Sequence, residues 1–390
     1  MTNTIKADQK LLLLTDLPIW SLKKSSGARS FHETLSRFNN IFNMEIATSE
    51  KGVNEFNTVF LKHINPHRLT NISILKLILK PLLWVLNFIY TYKYLKKNIH
   101  CYDIVYCYEI AHVVAAMLVV RNTKFKGLFV TRFQGTILTP ALDTKNVLSK
   151  FFFMIRNFDH VAALKSKSDL IVMTDDGTKG NEVLTLLGNH SQCLFLRNGV
   201  DVYGLRKKEY NFSKLNFVTC SRLVQWKRVD RAIDIFSKVL NFYPDAKLDI
   251  IGSGPCEQSL MDQCGALGIK ESVTFHGALS HYNAIQIMHN ANIMLSCFSL
   301  SNVGNPLWEA QALGLWVATL NNGDTAKYIE NGVNGFIVDE ENYVSLANKL
   351  IKLREANKEH INFEQNYLLG SWSIRIEKEL KCIQLKLSKK

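Results

Sequence analysis

Two cations five residues apart are the first candidates for chemistry in this sequence. Arg222 and Lys227 lie in TCSRLVQWKRVDR, where a predicted strand runs into a predicted helix. Two cations that converge beyond the end of a strand can clamp a diphosphate and neutralise the charge that develops on a leaving phosphate. A solvated basic turn is the alternative, and the spacing alone does not separate the two interpretations.

The stretch SLSNVGNPLWEAQALG, residues 299–314, is the second candidate. Its Gly and Asn residues precede a predicted helix with Pro306 in the first turn. Glu309, about one turn further, can accept a pair of hydrogen bonds from vicinal hydroxyls such as those of a ribose. Main-chain amides ahead of the helix can form a nest for phosphate or sugar oxygens, and they belong to Asn302, Val303, Gly304 and Asn305. A surface carboxylate on a capped helix is the alternative.

Two glycine-bearing loops complete the set of candidates. Gly27 lies in LPIWSLKKSSGARSF, between the first predicted strand and a helix, where free amides at the helix start can bind an anion. Gly252 and Gly254 lie in IIGSGPCEQSL, which begins like a dinucleotide fingerprint but has Glu257 at the position of the third glycine. A nicotinamide cofactor is therefore disfavoured, whereas a tight turn near a nucleotide is allowed.

Strand-like apolar runs alternate with helical patterns in both halves of the chain, which predicts two α/β domains, each a doubly wound, Rossmann-like parallel sheet. The length of 390 residues also favours two hydrophobic cores. An Asn-Gly turn in LRNGVDVYG places the linker near 199–212. The predicted strands are 10–16, 102–109, 127–133 and 168–175 in the first half, and 215–220, 247–252, 272–277, 292–297 and 315–320 in the second.

The formal charge of +13 is concentrated near the N-terminus, since residues 1–100 hold 14 Lys and Arg against 6 Asp and Glu. Within them, 13 of the 17 residues at 74–90 are apolar, although two lysines and a proline make a poor membrane span. On a helix, Lys76, Lys80, Asn87 and Thr91 form a narrow polar stripe opposite a wide apolar face. Residues 74–97 are thus a candidate for contact with an anionic membrane surface, and a core helix with a solvated basic end is the alternative.

The cysteines, the N-terminal segment and the absence of nucleic-acid motifs limit the expected cellular compartment and binding partners. Eight cysteines without a C-x-x-C motif or zinc spacing favour reduced thiols and no structural metal. The N-terminal apolar run of four leucines is too short for a signal peptide, so we expect a cytoplasmic protein. Nucleic acid is disfavoured as a partner, because no RNP, zinc-finger or helix-turn-helix signature is present.

The order of the motifs resembles a specific family. SRLVQWK, GSGPCEQSL, VTFHG, LSCFSLSNVGNPLWEAQALG and NNGDTAKYIENGVNGFIV look like the C-terminal domain of the retaining, nucleotide-sugar-dependent glycosyltransferases of family 4. The resemblance runs from about residue 215 to 350, and in the first half it is one of pattern. It implies the GT-B fold, with an acceptor domain at 1–200, a donor domain at 201–371 and a closing helix at 372–390 that packs back on the first domain.

The resemblance also implies roles for the candidate residues. Arg222 and Lys227 match the cations that bind the donor diphosphate, with no required metal or cofactor, and Glu309 matches a glutamate that holds the ribose. Gly27 matches the glycine loop near the phosphates. The implied donor is a nucleotide-diphosphate sugar, with UDP preferred over GDP on family frequency. The basic, amphipathic first half of such a transferase favours a membrane-linked glycan or glycolipid at the inner membrane face as the acceptor, and a soluble acceptor is the alternative.

Two positions depart from the family pattern. Ser301 stands where many members have a glutamate that contacts the donor sugar, and in VTRFQGT Gln134, followed by Gly135, stands where many have a histidine near the reacting sugar. Gln cannot act as a base, although it donates and accepts hydrogen bonds. The alternatives are therefore a GT-B-shaped epimerase or hydrolase, and a nonenzymatic subunit that binds nucleotide sugars.

Overall fold

The computed structural model describes residues 9–17, 29–49, 56–61, 73–355 and 370–390. These residues form two parallel sheets, each covered by helices on both faces. The first sheet has the order β3-β2-β1-β4-β5-β6-β7 and the second has the order β10-β9-β8-β11-β12-β13. The prediction of two doubly wound α/β domains is confirmed.

The first sheet contains seven strands whose central members are buried on both faces. Leu11 to Leu14 are fully buried, as expected for a strand of a parallel sheet between two helical layers. The strands are β1 Lys10–Leu14, β2 Asn43–Thr48, β3 Thr58–Phe60, β4 Ile104–Tyr108, β5 Leu128–Phe133, β6 Leu170–Thr174 and β7 Cys193–Leu196. The helices that follow them are α1 Arg29–Asn39, α2 Ser73–Asn98, α3 Val113–Asn122, α4 Pro140–Asp143, α5 Val147–Arg156, α6 Phe158–Lys165 and α7 Gly180–Leu186.

The second sheet contains six strands, and its five predicted strands lie within two residues of their expected bounds. The strands are β8 Asn216–Cys220, β9 Lys247–Ile251, β10 Val273–Gly277, β11 Ile293–Ser296, β12 Trp316–Leu320 and β13 Gly335–Val338. The helices are α8 Val229–Leu240, α9 Glu257–Ala266, α10 His281–Asn290, α11 Asn305–Leu313 and α12 Ser345–Glu355. The chain reverses its strand order between β8 and β11, which opens a crevice beyond their carboxyl ends.

The amphipathic segment predicted at 74–97 is the 26-residue helix α2, and the face that carries its polar stripe lies against the protein. Lys80 Nζ lies 2.7 Å from Asp159 Oδ1, and the buried Thr91 bonds His112 Nδ1 at 3.0 Å. These two members of the predicted polar stripe therefore face the protein, where polar groups find polar partners. Among the described residues, no helix is both long and apolar enough to cross a membrane.

The last helix, α13 Trp372–Leu387, packs on the first sheet through a buried charge cluster. Glu379 Oε2 accepts from Arg132 Nη1 at 3.1 Å and from Arg375 Nη1 at 2.6 Å, and the Tyr106 hydroxyl donates to Glu379 Oε1. Burial opposes ionisation of Glu379, but the two guanidinium groups hold its pKa below the usual value. The cluster thus ties the C-terminal helix to β4 and β5.

We expect Glu379→Gln to destabilise the protein by about 3–5 kcal/mol, because the substitution leaves two buried guanidinium groups without a counter-charge. Urea unfolding followed by circular dichroism measures the loss. Glu377→Gln on the exposed side of the same helix is the matched control and should change stability by less than about 0.5 kcal/mol. Equal stability of the two variants contradicts the role given to the cluster.

Candidate functional site

Arg222 and Lys227 leave the central strand β8 and enter one interdomain cleft of about 280 Å³. Ser221 N–H donates to Ile251 O at 3.0 Å and Leu223 N–H donates to Ser253 O at 2.9 Å, so the loop is fixed against the end of β9. A 3₁₀ turn at Gln225–Lys227 then leads into α8. The carboxyl end of β8 is therefore the element that brings both cations to the cleft.

Lys227 sits between two aromatic rings. Its Nζ lies 3.5 Å from the ring centroid of Phe298 and 4.0 Å from that of Trp226. Burial, helped by the charge of Arg222 and opposed by that of Asp176, lowers the pKa of the Lys227 amine to about 7. A desolvated ammonium held by ring faces is a strong site for an anion, since the local dielectric is low.

Gly252 and Gly254 have a different role from the predicted donor contact. Both have positive φ angles, 133° and 159°. A Cβ on Gly252 would lie 1.8 Å from Ser221 O, and one on Gly254 would lie 2.4 Å from Leu223 O. Neither glycine lines the cleft. Because they lack a Cβ, these glycines allow the loop after β9 to lie against the backbone on both sides of Arg222. The contact holds the Arg222 loop in position from the side away from the cleft.

The loop after β11 brings main-chain and side-chain groups to the second wall of the cleft, which includes Ser301, Val303, Gly304 and Asn305. Gly304 is extended, with φ −156° and ψ −179°, and it is the residue immediately before α11. The N–H of Val303 donates to Ser301 Oγ at 3.1 Å. The N–H groups of Gly304 and Asn305 have no acceptor within the described residues, and they lie at the positive end of α11.

Asn302 points into the second domain rather than into the cleft. Its Oδ1 accepts from Ser296 Oγ at 2.8 Å and from Phe298 N at 2.9 Å, while its Nδ2 donates to Phe298 O and Leu320 O. The prediction for Asn302 concerned its main-chain N–H group. The side-chain amide has a structural role, because it satisfies buried backbone groups at the end of β11 and closes the loop that carries Ser301.

Glu309 is buried on α11 and lines the cleft together with His281. His281 Nε2 lies 2.6 Å from Glu309 Oε1, and Tyr203 Oη lies 2.8 Å from His281 Nδ1. Because the carboxylate can only accept, Nε2 of His281 donates to it, and Tyr203 Oη lies within hydrogen-bond distance of Nδ1. The series of contacts from Tyr203 through His281 to Glu309 fixes the position of the carboxylate oxygen Oε1.

The first domain contributes Gln134, Asp176 and Thr178 to the opposite side of the cleft. Gln134 Nε2 donates to Tyr108 Oη at 2.8 Å, which orients the side chain at the end of β5. Burial raises the pKa of Asp176 to about 7, against hydrogen bonds from Thr178. Gly135, with φ 89°, packs against this carboxyl group, since a Cβ there would lie 2.0 Å from Asp176 Oδ2.

Ser301 joins the two domains. Its Oγ donates to the main-chain oxygen of Asp176 at 2.7 Å, and a Cβ on Gly177 would lie 2.6 Å from the same Oγ. Asp324 N–H donates to Gly177 O at 3.0 Å beside this contact. The residue predicted to touch the donor sugar therefore also holds the first domain against the second.

Sequence reasoning missed several groups of the cleft, chiefly His281, Asp176, Trp226 and Phe298. Trp226 and Phe298 lay inside stretches singled out from the sequence but were given no role, and nothing local marks His281 as a neighbour of Glu309. The predicted Gly27 lies outside the described residues. Within the described part of the chain, no group of three His, Cys, Asp or Glu side chains is arranged to hold a metal ion, and all eight cysteines are free thiols.

Residues 205–367 match the family model described as glycosyl transferases group 1. Two curated relatives are each similar over about half of the chain. The capsular polysaccharide biosynthesis glycosyltransferase CapM of Staphylococcus aureus is 26% identical over 47% of this chain and 48% of its own length. A GDP-mannose-dependent monoacylated phosphatidylinositol monomannoside mannosyltransferase of Corynebacterium glutamicum is 26% identical over 50% of this chain and 57% of its own. The chain thus spans about half the length of the relatives it matches.

The similarity of structure extends over both domains. HepE of Anabaena, solved in complex with UDP and glucose, superimposes with a TM-score of 0.69 over 97% of this chain and 100% of its own at 15% identity. The galactosyltransferase WaaB of the lipopolysaccharide outer core superimposes with a TM-score of 0.64 over 97% of this chain and 99% of its own at 14% identity. The second domain therefore carries the sequence signature of the glycosyl transferases group 1, and the chain as a whole has the GT-B fold.

Proposed function

We propose that this protein is a retaining glycosyltransferase that moves a sugar from a nucleotide-diphosphate sugar, UDP-linked by preference, to an acceptor hydroxyl. The observation that carries the proposal is the meeting of Arg222 and Lys227 with Glu309 in one cleft between the domains. The cations suit a diphosphate and the carboxylate suits a ribose, and these are the two constant parts of such donors. HepE, whose structure contains UDP and glucose, supports UDP as the carrier.

In the proposed reaction, the bond between the anomeric carbon and the diphosphate oxygen breaks and a bond to the acceptor oxygen forms on the same face of the sugar. Arg222, Lys227 and the amides of Gly304 and Asn305 stabilise the departing diphosphate. The leaving phosphate oxygen takes the acceptor proton, so Gln134 is needed only to orient the sugar. Because protein cations neutralise the leaving group, we propose that transfer needs no metal and no cofactor.

The acceptor in this proposal is a membrane-linked glycan or a glycolipid used in cell-surface polysaccharide synthesis. CapM is named for capsular polysaccharide synthesis, and the corynebacterial relative is named for a mannoside of phosphatidylinositol. The name of the corynebacterial relative gives GDP-mannose as its donor, so GDP is the second choice for the donor nucleotide of this protein. The proposed place of work is the cytoplasmic side of the membrane, where nucleotide sugars are the donors.

A hydrolase or epimerase on the same fold is the second candidate, favoured by Gln134 and Ser301 in place of two groups that typical transferases use. Incubation with labelled donor, with and without a lipid-linked acceptor, separates the classes. Sugar found on the acceptor supports transfer, whereas free sugar or an epimerised donor in equal yield without acceptor supports the alternative. If the protein binds the donor but neither transfers, releases nor epimerises the sugar, it is a nonenzymatic binding subunit.

We expect Arg222→Ala and Lys227→Ala each to lower turnover about a hundredfold or more, because each removes about 2.7–4 kcal/mol of stabilisation from the departing diphosphate. The assay measures sugar transfer in the presence of EDTA. Lys214→Ala, an exposed lysine of the same domain outside the cleft, is the matched control and should retain full activity. Near-normal transfer by either cleft variant rules out the assigned roles.

Binding of UDP-glucose should weaken as the pH rises above about 7, since the pKa of Lys227 in the free protein is about 7. A bound diphosphate raises that pKa, so binding takes up a proton and loses up to about tenfold in affinity per pH unit until the pKa of the complex is reached. Ionisation of Asp176, whose pKa is also about 7, acts in the same direction. Calorimetry across pH 6 to about 9 measures the effect.

UDP-glucose is the ligand of choice because both of its phosphates are diesters and do not titrate in this range. Lys227→Met keeps the length of the side chain and removes the amine, so it should flatten the pH dependence to the part contributed by Asp176. An unchanged slope in this variant contradicts the assignment of the titration to Lys227.

We expect Glu309→Gln to weaken UDP binding by about tenfold to a hundredfold, as for the loss of a hydrogen bond to a charged group. Comparison of UDP with its 2′-deoxy analogue tests the ribose contact directly. The wild-type protein should prefer UDP over the deoxy analogue by a similar factor, and Glu309→Gln should lose that preference. His281→Ala should reduce the preference partly, because Glu309 keeps its charge and loses its positioning partner. A deoxy preference that survives in Glu309→Gln contradicts the ribose contact.

A further inference from the structure

Helix α5 exposes an unusual amount of apolar surface. Five of its ten residues are large apolar side chains that are each between 52% and 78% exposed, and no residue of the helix is buried. These residues are Val147, Leu148, Phe151, Phe152 and Ile155. Single exposed apolar residues are normal, but a contiguous cluster on one helix indicates a surface that is covered when the protein works.

Helix α2 exposes a second apolar row. Leu75, Ile78, Leu82, Val85 and Ile89 are all exposed and follow one another at spacings of three and four residues, which places them on one face. The opposite face contains Lys80 and Thr91, which bond Asp159 and His112 inside the domain. The helix therefore packs through its polar stripe and leaves its apolar row outside.

The two apolar surfaces belong to neighbouring helices. Lys80 Nζ lies 2.7 Å from Asp159 Oδ1 and 3.5 Å from Arg156 O at the end of α5. Trp84 on α2 meets Phe158 edge to face at 5.6 Å between ring centroids. These contacts lie on the side of α2 away from its exposed row. We use the name apolar face of the first domain for the exposed residues of α5 together with the exposed row of α2.

The charged residues within the two helices of the apolar face have one sign. Helix α2 holds five lysines and helix α5 holds Lys150 and Arg156, and neither helix contains an Asp or a Glu. A second copy of this chain seated on the same face would bring like charges together. An anionic bilayer instead offers acyl chains to the apolar residues and phosphates to the cations, so the charges favour a lipid surface.

The apolar face is connected to the cleft through the loop after β5. Gln134 lines the cleft at the start of this loop, and Thr136 N–H donates to Thr178 Oγ1 at 2.9 Å. Thr139 Oγ1 donates to Thr178 O at 2.6 Å just before α4, and Val147 begins α5 a few residues later. The exposed helix is thus attached to the first-domain wall, on the side of the cleft to which the acceptor is assigned.

We propose that the apolar face inserts into the outer few ångströms of an anionic bilayer, with α5 as the main inserting element and the lysines of α2 binding lipid phosphates. The contact differs from adsorption by a lysine stripe, since Lys80 is paired inside the domain and aromatic side chains enter the acyl boundary. It rests on the proposed function only for the acceptor, because a membrane-bound acceptor would reach the cleft from this side.

The test measures sedimentation of the full-length protein with vesicles of phosphatidylcholine, with and without phosphatidylglycerol. Phe151→Ser combined with Phe152→Ser should weaken binding to the anionic vesicles by about tenfold or more, since two aromatic side chains no longer leave water. Both side chains are exposed, so the fold should be retained. Phe242→Ser, at an equally exposed phenylalanine of the second domain, is the matched control and should bind as the wild type does.

Three results would overturn the proposal. One is equal vesicle binding by the wild type, the double variant and the control. Another is complete release of the wild type by high salt, which indicates adsorption without insertion. The third is a dimer in light scattering that the double variant disrupts while vesicle binding is unchanged, which assigns the face to a second copy. UDP binding, followed by thermal shift, should be the same in all three proteins, so a failure here is distinguishable from a failure of the donor site.

Discussion

The whole site depends on the fact that every strand of both sheets runs parallel to its neighbours. Parallel strands end at one edge, so each sheet delivers its loops to one side, and the reversal of strand order leaves a crevice there. The loop after β8 carries Arg222, and the adjacent strand β11 leads to Ser301 and Glu309. In the first sheet, β5 leads to Gln134 and β6 leads to Asp176. Residues far apart in the chain therefore meet because of topology.

The site depends, second, on the loss of water around Lys227. Lys227 is enclosed by Trp226 and Phe298, and the resulting loss of hydration makes its ammonium form unfavourable until an anion arrives. The same loss of hydration strengthens the attraction to a diphosphate once it is bound. Arg222 remains exposed and keeps its charge, so the pair combines a permanent cation with one whose charge depends on the ligand.

The fold could be predicted from the sequence because buried parallel strands are short continuous apolar runs, as in KLLLL and IVYCY. The strands β2, β3, β7 and β13 were missed, since short edge or near-edge strands such as NMEIAT and TVF lack such a run. Arg222, Lys227 and Glu309 could be placed at strand ends and helix starts by local pattern. His281 could not, because its contact with Glu309 is set by how α10 packs beside α11, and one sequence carries no sign of that packing.

Gly252 and Gly254 show a related limit of reasoning from local sequence. Gly252 and Gly254 were assigned to the ligand because glycine permits close approach, and close approach is what the structure has, but the approaching group is the backbone around Arg222. The orientation of α2 could likewise not be predicted from its sequence. A polar stripe is as well satisfied by Asp159 and His112 as by water, and hydrophobic periodicity gives the faces of a helix without saying which one is outside.

The hydrogen bond from Ser301 to the main-chain oxygen of Asp176 has a consequence for how the domains are held together. A hydroxyl has one hydrogen, and here that hydrogen is committed to the other domain. A sugar oxygen that accepts this hydrogen replaces one hydrogen bond between the domains, whereas a sugar that only donates to Ser301 leaves the bond intact. The bonds from Asp324 N–H to Gly177 O and from Tyr328 Oη to Asp175 Oδ2 also join the domains and do not involve Ser301. The contact between the domains and the pattern of hydroxyls on a bound sugar therefore share one proton among several interdomain bonds.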